Sequence, residues 1–367
     1  MSRVIVRHAC YDYQSLRPVL FEMMEALVDG EIHRNARVLL KPNFLCPAKP
    51  ERAVLTHPLV VRAVSEYLLS KGCKIQISDS PAMGSFQKVL KEGGYQHTFA
   101  GMDVNFVPFT GSVKKDIGPP FGEIEMATDA IAFDTIINLA KLKTHSQMLL
   151  TLGVKNMFGC IVGMRKPEWH LKAGVDRNMF AKLLVQICQS IRPSITIIDG
   201  ILALEGQGPG RSGTPRQLNV LVGSRNPFAA DMAVCRMLCL EPGQLPTHAA
   251  LGSMGLSDDS ISIDGDLPQI SNFKLPVLAP LSFGPKRIQG FMRKHLLQRP
   301  VVDQKRCKLC GECWNYCPSE AIFNDTEHII FDYAACIRCY CCIELCPHGA
   351  LKAKETSAGR VIRRLLF

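Results

Sequence analysis

The chain has 367 residues, 47% of them apolar and 21% charged, which excludes a single small domain and extensive disorder and favours two or three folding units. Its net charge of +10 favours acidic partners, anionic substrates or a membrane surface without choosing among them. No apolar run reaches about 18 residues, and the N-terminus MSRVIVRHACYDYQ, with Arg3 and Arg7, lacks the apolar core of a signal peptide; a cytoplasmic protein with no transmembrane segment is expected.

In chain order, strand patterns occur at ARVLL from Ala36, KIQIS from Lys74, VNFVPF from Val104, AFDTIINL from Ala132, SITIID from Ser194 and LNVLVG from Leu218. Between them, PLVVRAVSEYLLSK from Pro58, MFAKLLVQICQSI from Met179 and PFAADMAVCRML from Pro227 keep apolar residues at helical spacing, and Asn226-Pro227 is a helix-start signal. This alternation predicts an α/β domain over residues 1–280, a mostly parallel sheet with flanking helices. Within it, FKLPVL from Phe273 reads as a further strand.

Polar clusters follow these strands directly: Lys41-Pro42-Asn43, Asp79-Ser80-Pro81, Lys141 to His145, Asp199-Gly200 and Ser224-Arg225-Asn226. Caps and tight turns explain any one of them. Open parallel sheets bind ligands beyond the carboxyl ends of their strands, so all five are expected to converge on one crevice. There Lys41, Asn43, Asp79, Lys141, Lys143 and Asn156 are candidate substrate-binding residues, because converging ammonium groups suit a carboxylate or phosphate. Lys155 is expected to hold the anion with Lys141, His145 to donate a proton, and Asp199 or Glu205 to orient it. Asp231 is a further acidic candidate, although a helix cap explains it as well. Cys160, between glycine-flanked neighbours, is read as either a redox thiol or a packing residue. The run Glu205-Gly206-Gln207-Gly208-Pro209-Gly210 is an anion-nest candidate or a plain glycine turn; it is not a dinucleotide fingerprint, and no Walker loop occurs.

Residues 281–299 read as a basic linker and residues 355–367, ending GRVIRRLLF, as a basic tail. Between these segments lies the most informative pattern in the chain. Of 16 cysteines, nine crowd between Cys307 and Cys346, which in a reducing compartment points to metal before disulfide. Cys307-x2-Cys310-x2-Cys313-x3-Cys317-Pro318 repeats 29 residues later as Cys336-x2-Cys339-x2-Cys342-x3-Cys346-Pro347. Zinc ribbons use two separated pairs, whereas this spacing wraps a cubane with three thiolates and sends the fourth to the other cluster. Two [4Fe–4S] clusters are therefore expected, one on Cys307, Cys310, Cys313 and Cys346, the other on Cys336, Cys339, Cys342 and Cys317. Cys341 falls outside the spacing and reads as a packing cysteine or as one lying behind the ligands.

Residues 300–354 resemble the bacterial two-cluster ferredoxin domain, which implies a small ferredoxin-like α+β fold; Gly311, Pro318, Pro347 and the segments SEAI and HGAL fit it. In the larger part, NLAKLKTH from Asn138, LGVKNMFGCIVG from Leu152 and DGILALEGQGPGRSGTP from Asp199, with LLKPNFL from Leu39, THP from Thr56 and ISDSPA from Ile77, resemble the DUF362 family, uncharacterised proteins that often carry a C-terminal ferredoxin domain. The resemblance implies an iron–sulfur centre. The residue chemistry extends this to an oxidoreductase passing single electrons between the clusters and an anionic small molecule, with a redox partner protein or other electron donor. The alternative is a non-enzymatic electron-transfer or assembly module that docks a redox partner. No recognition helix or aromatic platform points to nucleic acid.

Overall fold

The computed structural model describes residues 1–276, apart from 31, 164, 174–175, 211 and 257–259, together with residues 298–354 and 356. Its strands are β1 (Ser2–His8), β2 (Arg37–Pro42), β3 (Lys74–Ile77), β4 (Asn105–Phe106), β5 (Ser112–Asp116), β6 (Glu123–Ala127), β7 (Thr135–His145), β8 (Leu149–Thr151), β9 (Ile195–Gly206), β10 (Gly213–Ser224) and β11 (Ile261–Asp264). A large sheet takes the order β11-β1-β10-β9-β7-β2-β3-β4, with β8 added on β7, while β5 and β6 pair apart from it. Parallel pairing runs through β9, β7, β2, β3 and β4 and joins β1 to β11, whereas β10 and β8 run antiparallel to their neighbours.

Side-chain alternation explains why both faces are covered. Val38 and Leu40 of β2 join Ile137 and Leu139 of β7 in one apolar cluster, under helices Tyr13–Val28 and Pro58–Ser70. Leu39 and Ile136 point the other way, into a cluster with Phe180 and Leu184 of helix Arg177–Ile191. Short polar residues start these helices: the Ser15 amide donates to Asp12 at 3.0 Å, and the Phe228 amide donates to Asn226 at 3.0 Å just after Pro227.

The structure departs from the expected elements in several places, adding β5, β6, β8 and β11 and starting β10 at Gly213. Strand β1 and helix Tyr13–Val28 were not anticipated, because β1 has a short apolar stretch and the helix contains Pro18. The strand read at 132–139 runs on to His145, and that read at 194–199 runs on to Gly206, so two clusters read as following strands belong to them. Ladder pairing with β8 and β9 satisfies this polar stretch of backbone. Strand β4 is only two residues long. Residues 273–276 form no strand, since the Lys274 amide donates to Glu205 and its carbonyl accepts from Gly206 instead. The rest of that expected strand, the linker at 281–297 and the tail at 357–367 lie outside the described residues.

In the C-terminal part, β12 (Arg299–Val302) pairs antiparallel with β15 (Leu351–Lys354), and β13 (Ile322–Asn324) pairs with β14 (Ile329–Phe331). Two short helices, Glu312–Asn315 and Cys341–Leu345, lie within the two cysteine series and carry Cys313 and Cys342. Ile337, Cys339, Cys341 and Leu345 are buried in the same apolar cluster as Val38 and Leu40, so the second cysteine segment packs into the core of the large sheet.

Chain order sets the place of the crevice. From β2 the chain moves outward through β3 and β4, then returns to β7 on the other side of β2 and continues to β9. The reversal makes the carboxyl ends of β2 and β7 the topological switch point, where loops diverge to opposite faces. Beside it, Lys141 of β7 is paired in register with Asp199 of β9, and their side chains form a buried ion pair of 2.8 Å. Tyr11 donates to Asp199 at 2.7 Å, the His57 amide donates to it at 2.9 Å, and the Tyr11 and His57 rings stack 3.6 Å apart. Burial would raise the Asp199 carboxyl, but Lys141 and these donors hold it below its ordinary value. Removing one partner leaves an uncompensated buried charge. Lys141→Met should therefore lose about 3–5 kcal/mol in urea unfolding, and Lys141→Met/Asp199→Leu should recover most of it.

Candidate functional site: an interdomain cavity

A cavity of about 230 Å³ opens at the switch point. Its sheet side presents Lys41 and Asn43 from the end of β2, Asp79 after β3, and Lys143 and His145 from β7. Period-two alternation puts Lys143 and His145 on the face that Ile137 and Leu139 bury. Helix Gly153–Asn156 adds Lys155 and Asn156, and helix Arg165–Lys172 adds Lys166 and His170 one turn apart. The opposite wall comes from the cysteine-rich part: Tyr316, Cys341, Glu344 and Leu345.

Amide side chains tie the sheet side together. Asn43 donates to Asn156 at 2.8 Å and accepts from Lys143 at 2.7 Å, while Asn156 donates to Asn138 at 2.8 Å and to the Lys41 carbonyl at 3.2 Å. Lys41 pairs with Asp79 at 2.9 Å, and Asp79 also accepts from the Phe44 and Ser80 amides. Gly159 packs so closely on this pair that a Cβ there would collide with both side chains. Beneath the site, Asp231 accepts from the Gly153 amide at 2.7 Å and the Val154 amide at 3.2 Å. It caps the helix carrying Lys155 and Asn156; burial pushes its carboxyl up to about 7.

The domains meet through His145 and Glu344. His145 Nδ1 accepts from the Gln147 and Met148 amides, each at 3.1 Å, so its proton sits on Nε2. That nitrogen lies 2.7 Å from Glu344 Oε1, off the line of an ideal hydrogen bond. Burial lowers the imidazole to about 4, and His145 and Lys155 outweigh burial to hold Glu344 down to about 2. At neutral pH an ionised carboxylate therefore faces a neutral imidazole. The glycine loop seats this contact: the Gly208 amide donates to Thr144 at 3.1 Å, and a Cβ on Gly210 would stand 2.9 Å from the Glu344 carbonyl. The anion-nest candidate is thus a close-packed strap between sheet and cysteine segment, with Pro209 reaching the cavity.

The cations in the cavity are unequally compensated. Lys41 has Asp79, but Lys143 donates to neutral oxygens, Asn43 Oδ1 and the Val54 carbonyl at 2.9 Å, and Lys166 donates to the Ser80 carbonyl. Lys155 stands over the Phe158 and Phe180 rings, 5.6 and 6.0 Å from their centres, and has no hydrogen bond or ion pair among the described residues. Burial lowers all three ammonium groups, Lys143 to about 7 and Lys166 to about 8. Converging buried ammonium groups of this kind suit an anion chemically.

Of the residues singled out in the sequence, Lys41, Asn43, Asp79, Lys143, His145, Lys155 and Asn156 line the cavity. Lys141 and Asp199 do not: they compensate one another inside the sheet. Glu205 also lies elsewhere, held by Arg216 at 2.9 Å and by the Lys274 amide. Cys160 is buried in the apolar core, and burial pushes its thiol up to about 12, so packing is the reading that fits. Sequence reasoning did not assign Lys166, Glu344 or Tyr316 to the site. The i, i+4 spacing of Lys166 and His170 was a usable signal, but nothing local marks Glu344, whose place depends on domain packing.

The cysteines fall into two neighbourhoods that meet at Cys313 and Cys342. Cys313 interacts with Cys346, Cys310 and Cys307, which together line a small cavity; Cys342 interacts with Cys339, Cys336 and Cys317, as well as with Cys313. The Ala321 amide donates to Cys317 Sγ at 3.3 Å, and the Ala350 amide donates to Cys346 Sγ at 3.2 Å. Such N–H groups stabilise sulfur that carries thiolate charge, so this donor set fits iron–sulfur clusters.

Two family models match separate stretches of the chain. The family model described as a domain of unknown function, DUF362, matches residues 38–236, and that of a 4Fe-4S dicluster domain matches residues 299–357. A thylakoid-associated protein of Synechocystis sp. is 36% identical over 307 residues, covering 82% of this chain and 95% of its own. The pyruvate synthase subunit PorD of Methanocaldococcus jannaschii is 36% identical over 59 residues, 16% of this chain and 69% of its own. The lactate racemase apoprotein of Thermoanaerobacterium thermosaccharolyticum superposes with a TM-score of 0.41 at 13% identity, over 65% of this chain and 57% of its own. Among the described residues no helix is long and apolar enough to cross a membrane.

The strap makes a testable demand. Gly210→Val places a side chain against the Glu344 backbone and should speed amide hydrogen exchange across residues 337–346, leaving exchange in helix Pro58–Ser70 unchanged. Unaltered exchange at 337–346 would show that the strap does not seat this segment.

Proposed function

Because the chain belongs to the DUF362 family, a domain of unknown function, its activity has to be read from the site, and we propose a cytoplasmic iron–sulfur oxidoreductase that acts on an anionic small molecule in the interdomain cavity. Cys307, Cys310, Cys313 and Cys346 hold one [4Fe–4S] cluster, and Cys336, Cys339, Cys342 and Cys317 hold the other. When bound, the clusters supply low-potential one-electron equivalents, as all-thiolate ligation favours. A reducing compartment suits the nine thiols crowded there.

The observation carrying this reading is the group of buried ammonium ions without carboxylate partners, directly across the cavity from the second cysteine segment. Lys155 binds the anion, with Lys143 and Lys166 completing its charge. Asn43 and Asn156 fix the position of Lys143 and Lys41. Lys143 and Lys166, near 7 and 8, are matched to proton transfer at neutral pH. His145 keeps its Nε2 proton directed towards Glu344 and so orients the wall that closes the cavity.

Anaerobically purified protein should contain about eight irons and eight sulfides per chain, as two cubanes require. Cys310→Ser and Cys339→Ser should each lower that content at a different site. Zinc at full occupancy, without broad visible absorption, would overturn the assignment.

Native mass spectrometry of the same preparation tests the cavity. The wild type should retain a small anion that Lys155→Met loses with its iron content intact. Mono- and dicarboxylate binding, followed by calorimetry, should tighten as pH falls from about 9 to about 6, because Lys166 and then Lys143 gain their protons in that window. Binding that is independent of pH and of Lys155 would leave the large domain as a docking module for a redox partner.

A further inference from the structure

The two cysteine segments meet their surroundings differently. In the second, Cys339, Cys341 and Cys342 are buried, and Ile337, Cys339, Cys341 and Leu345 join the core of the large sheet. In the first, Cys313 is buried and Cys307 and Cys317 are half-buried, but Cys310 is exposed. The second segment therefore lies against the cavity wall, and the first reaches solvent at Cys310.

Around Cys310 the solvent-facing rim is basic. Lys305, Arg306 and Lys308 are exposed within the loop itself. Lys352 is exposed on β15, on the strand face opposite Leu351, which shares the small cavity with Cys307 and Cys310. None of these four side chains is ion-paired among the described residues. The nearby carboxylates, Asp303 and Glu312, are half-buried, and Asp303 accepts from the Lys305 amide. The rim therefore presents unpaired positive charge around an exposed thiol of the dicluster domain.

Building on the two-cluster reading, we propose that this rim is the docking surface for a small acidic one-electron carrier protein, so that electrons enter beside Cys310 and are used on the opposite, cavity-facing side. Complementary charge speeds encounter and sets orientation, which a transient redox complex needs more than tight binding. The exchange is balanced simply: the reduced carrier loses one electron and the dicluster domain gains one, with no bond made or broken. Burial of the second cysteine segment makes this polarity physical, since an acidic protein cannot reach it without displacing the core contacts of Ile337 and Leu345.

Flavodoxin, an acidic flavin carrier, serves as the probe with the full-length protein holding its clusters. Calorimetry with oxidised flavodoxin at low salt should show binding that weakens steeply as salt rises. Lys305→Glu/Lys308→Glu should weaken binding, and slow reduction by flavodoxin hydroquinone, by about tenfold or more. Arg34→Glu/Lys74→Glu, at the opposite edge of the sheet and with the same change in net charge, should leave both within about twofold. Equal losses in the two variants, no loss in the rim variant, or rim-dependent binding to phosphatidylglycerol vesicles without binding to flavodoxin would overturn the proposal. Iron and sulfide content confirms that each variant retains its clusters, and because no small-molecule substrate is present, failure of the cavity reading leaves these measurements unaffected.

Discussion

Uncompensated positive charge in a desolvated space is the constraint on which this structure turns. A buried ammonium group is costly unless paired, and the molecule contains both paired and unpaired cases. Lys41 meets Asp79 and Lys141 meets Asp199, each within 2.9 Å, and these pairs act as fixtures of the sheet edge. In direct contact, Lys143, Lys155 and Lys166 have only carbonyl or amide oxygens or aromatic faces, with Glu344 and Asp79 acting on them from further off. Their missing counter-charge coincides with the cavity, which is the physical ground for reading that space as an anion site.

The second cysteine segment closes the site through one short helix. Cys341–Leu345 carries Cys342, in the crossed thiol set, and presents Cys341, Glu344 and Leu345 to the cavity. The proposed redox chemistry and the proposed anion site thereby share the same few residues. Glu344 is the carboxylate this segment places facing the lysines, and its ionised state lowers the charge that an incoming anion must balance. The glycine strap makes this possible: only glycine at 208 and at 210 allows the backbone to lie against Thr144 and Glu344.

Beneath the cavity, polar groups are used as structure. Asp231 satisfies the first amides of helix Gly153–Asn156, and the Asn43–Asn156–Asn138 chain links β2, that helix and β7. Networks of this kind hold long lysine side chains in one arrangement, which reduces the freedom lost when a ligand binds. In the C-terminal part, by contrast, cysteine-rich loops and two small two-stranded sheets replace a large core, as expected of a segment organised around inorganic clusters.

What the sequence determined by itself was whatever rests on local spacing. The doubled cysteine series specifies its chemistry because a cubane needs thiolates at short fixed intervals, and the period-two and helical patterns specify the parallel sheet with its helices. The placement of Lys41, Asn43, Asp79, Lys143, His145, Lys155 and Asn156 around one space followed from their positions near strand ends. Tertiary structure alone decided which charges are spent internally. Lys141 and Lys143 sit two residues apart on the same face of β7, but the first finds Asp199 on β9 and the second only neutral oxygens, and no local pattern distinguishes them. Glu344 likewise enters the site only because the second cysteine segment packs into the core of the large sheet. Long-range packing sets whether a buried charge is neutralised, and that determines where this fold remains open to a ligand.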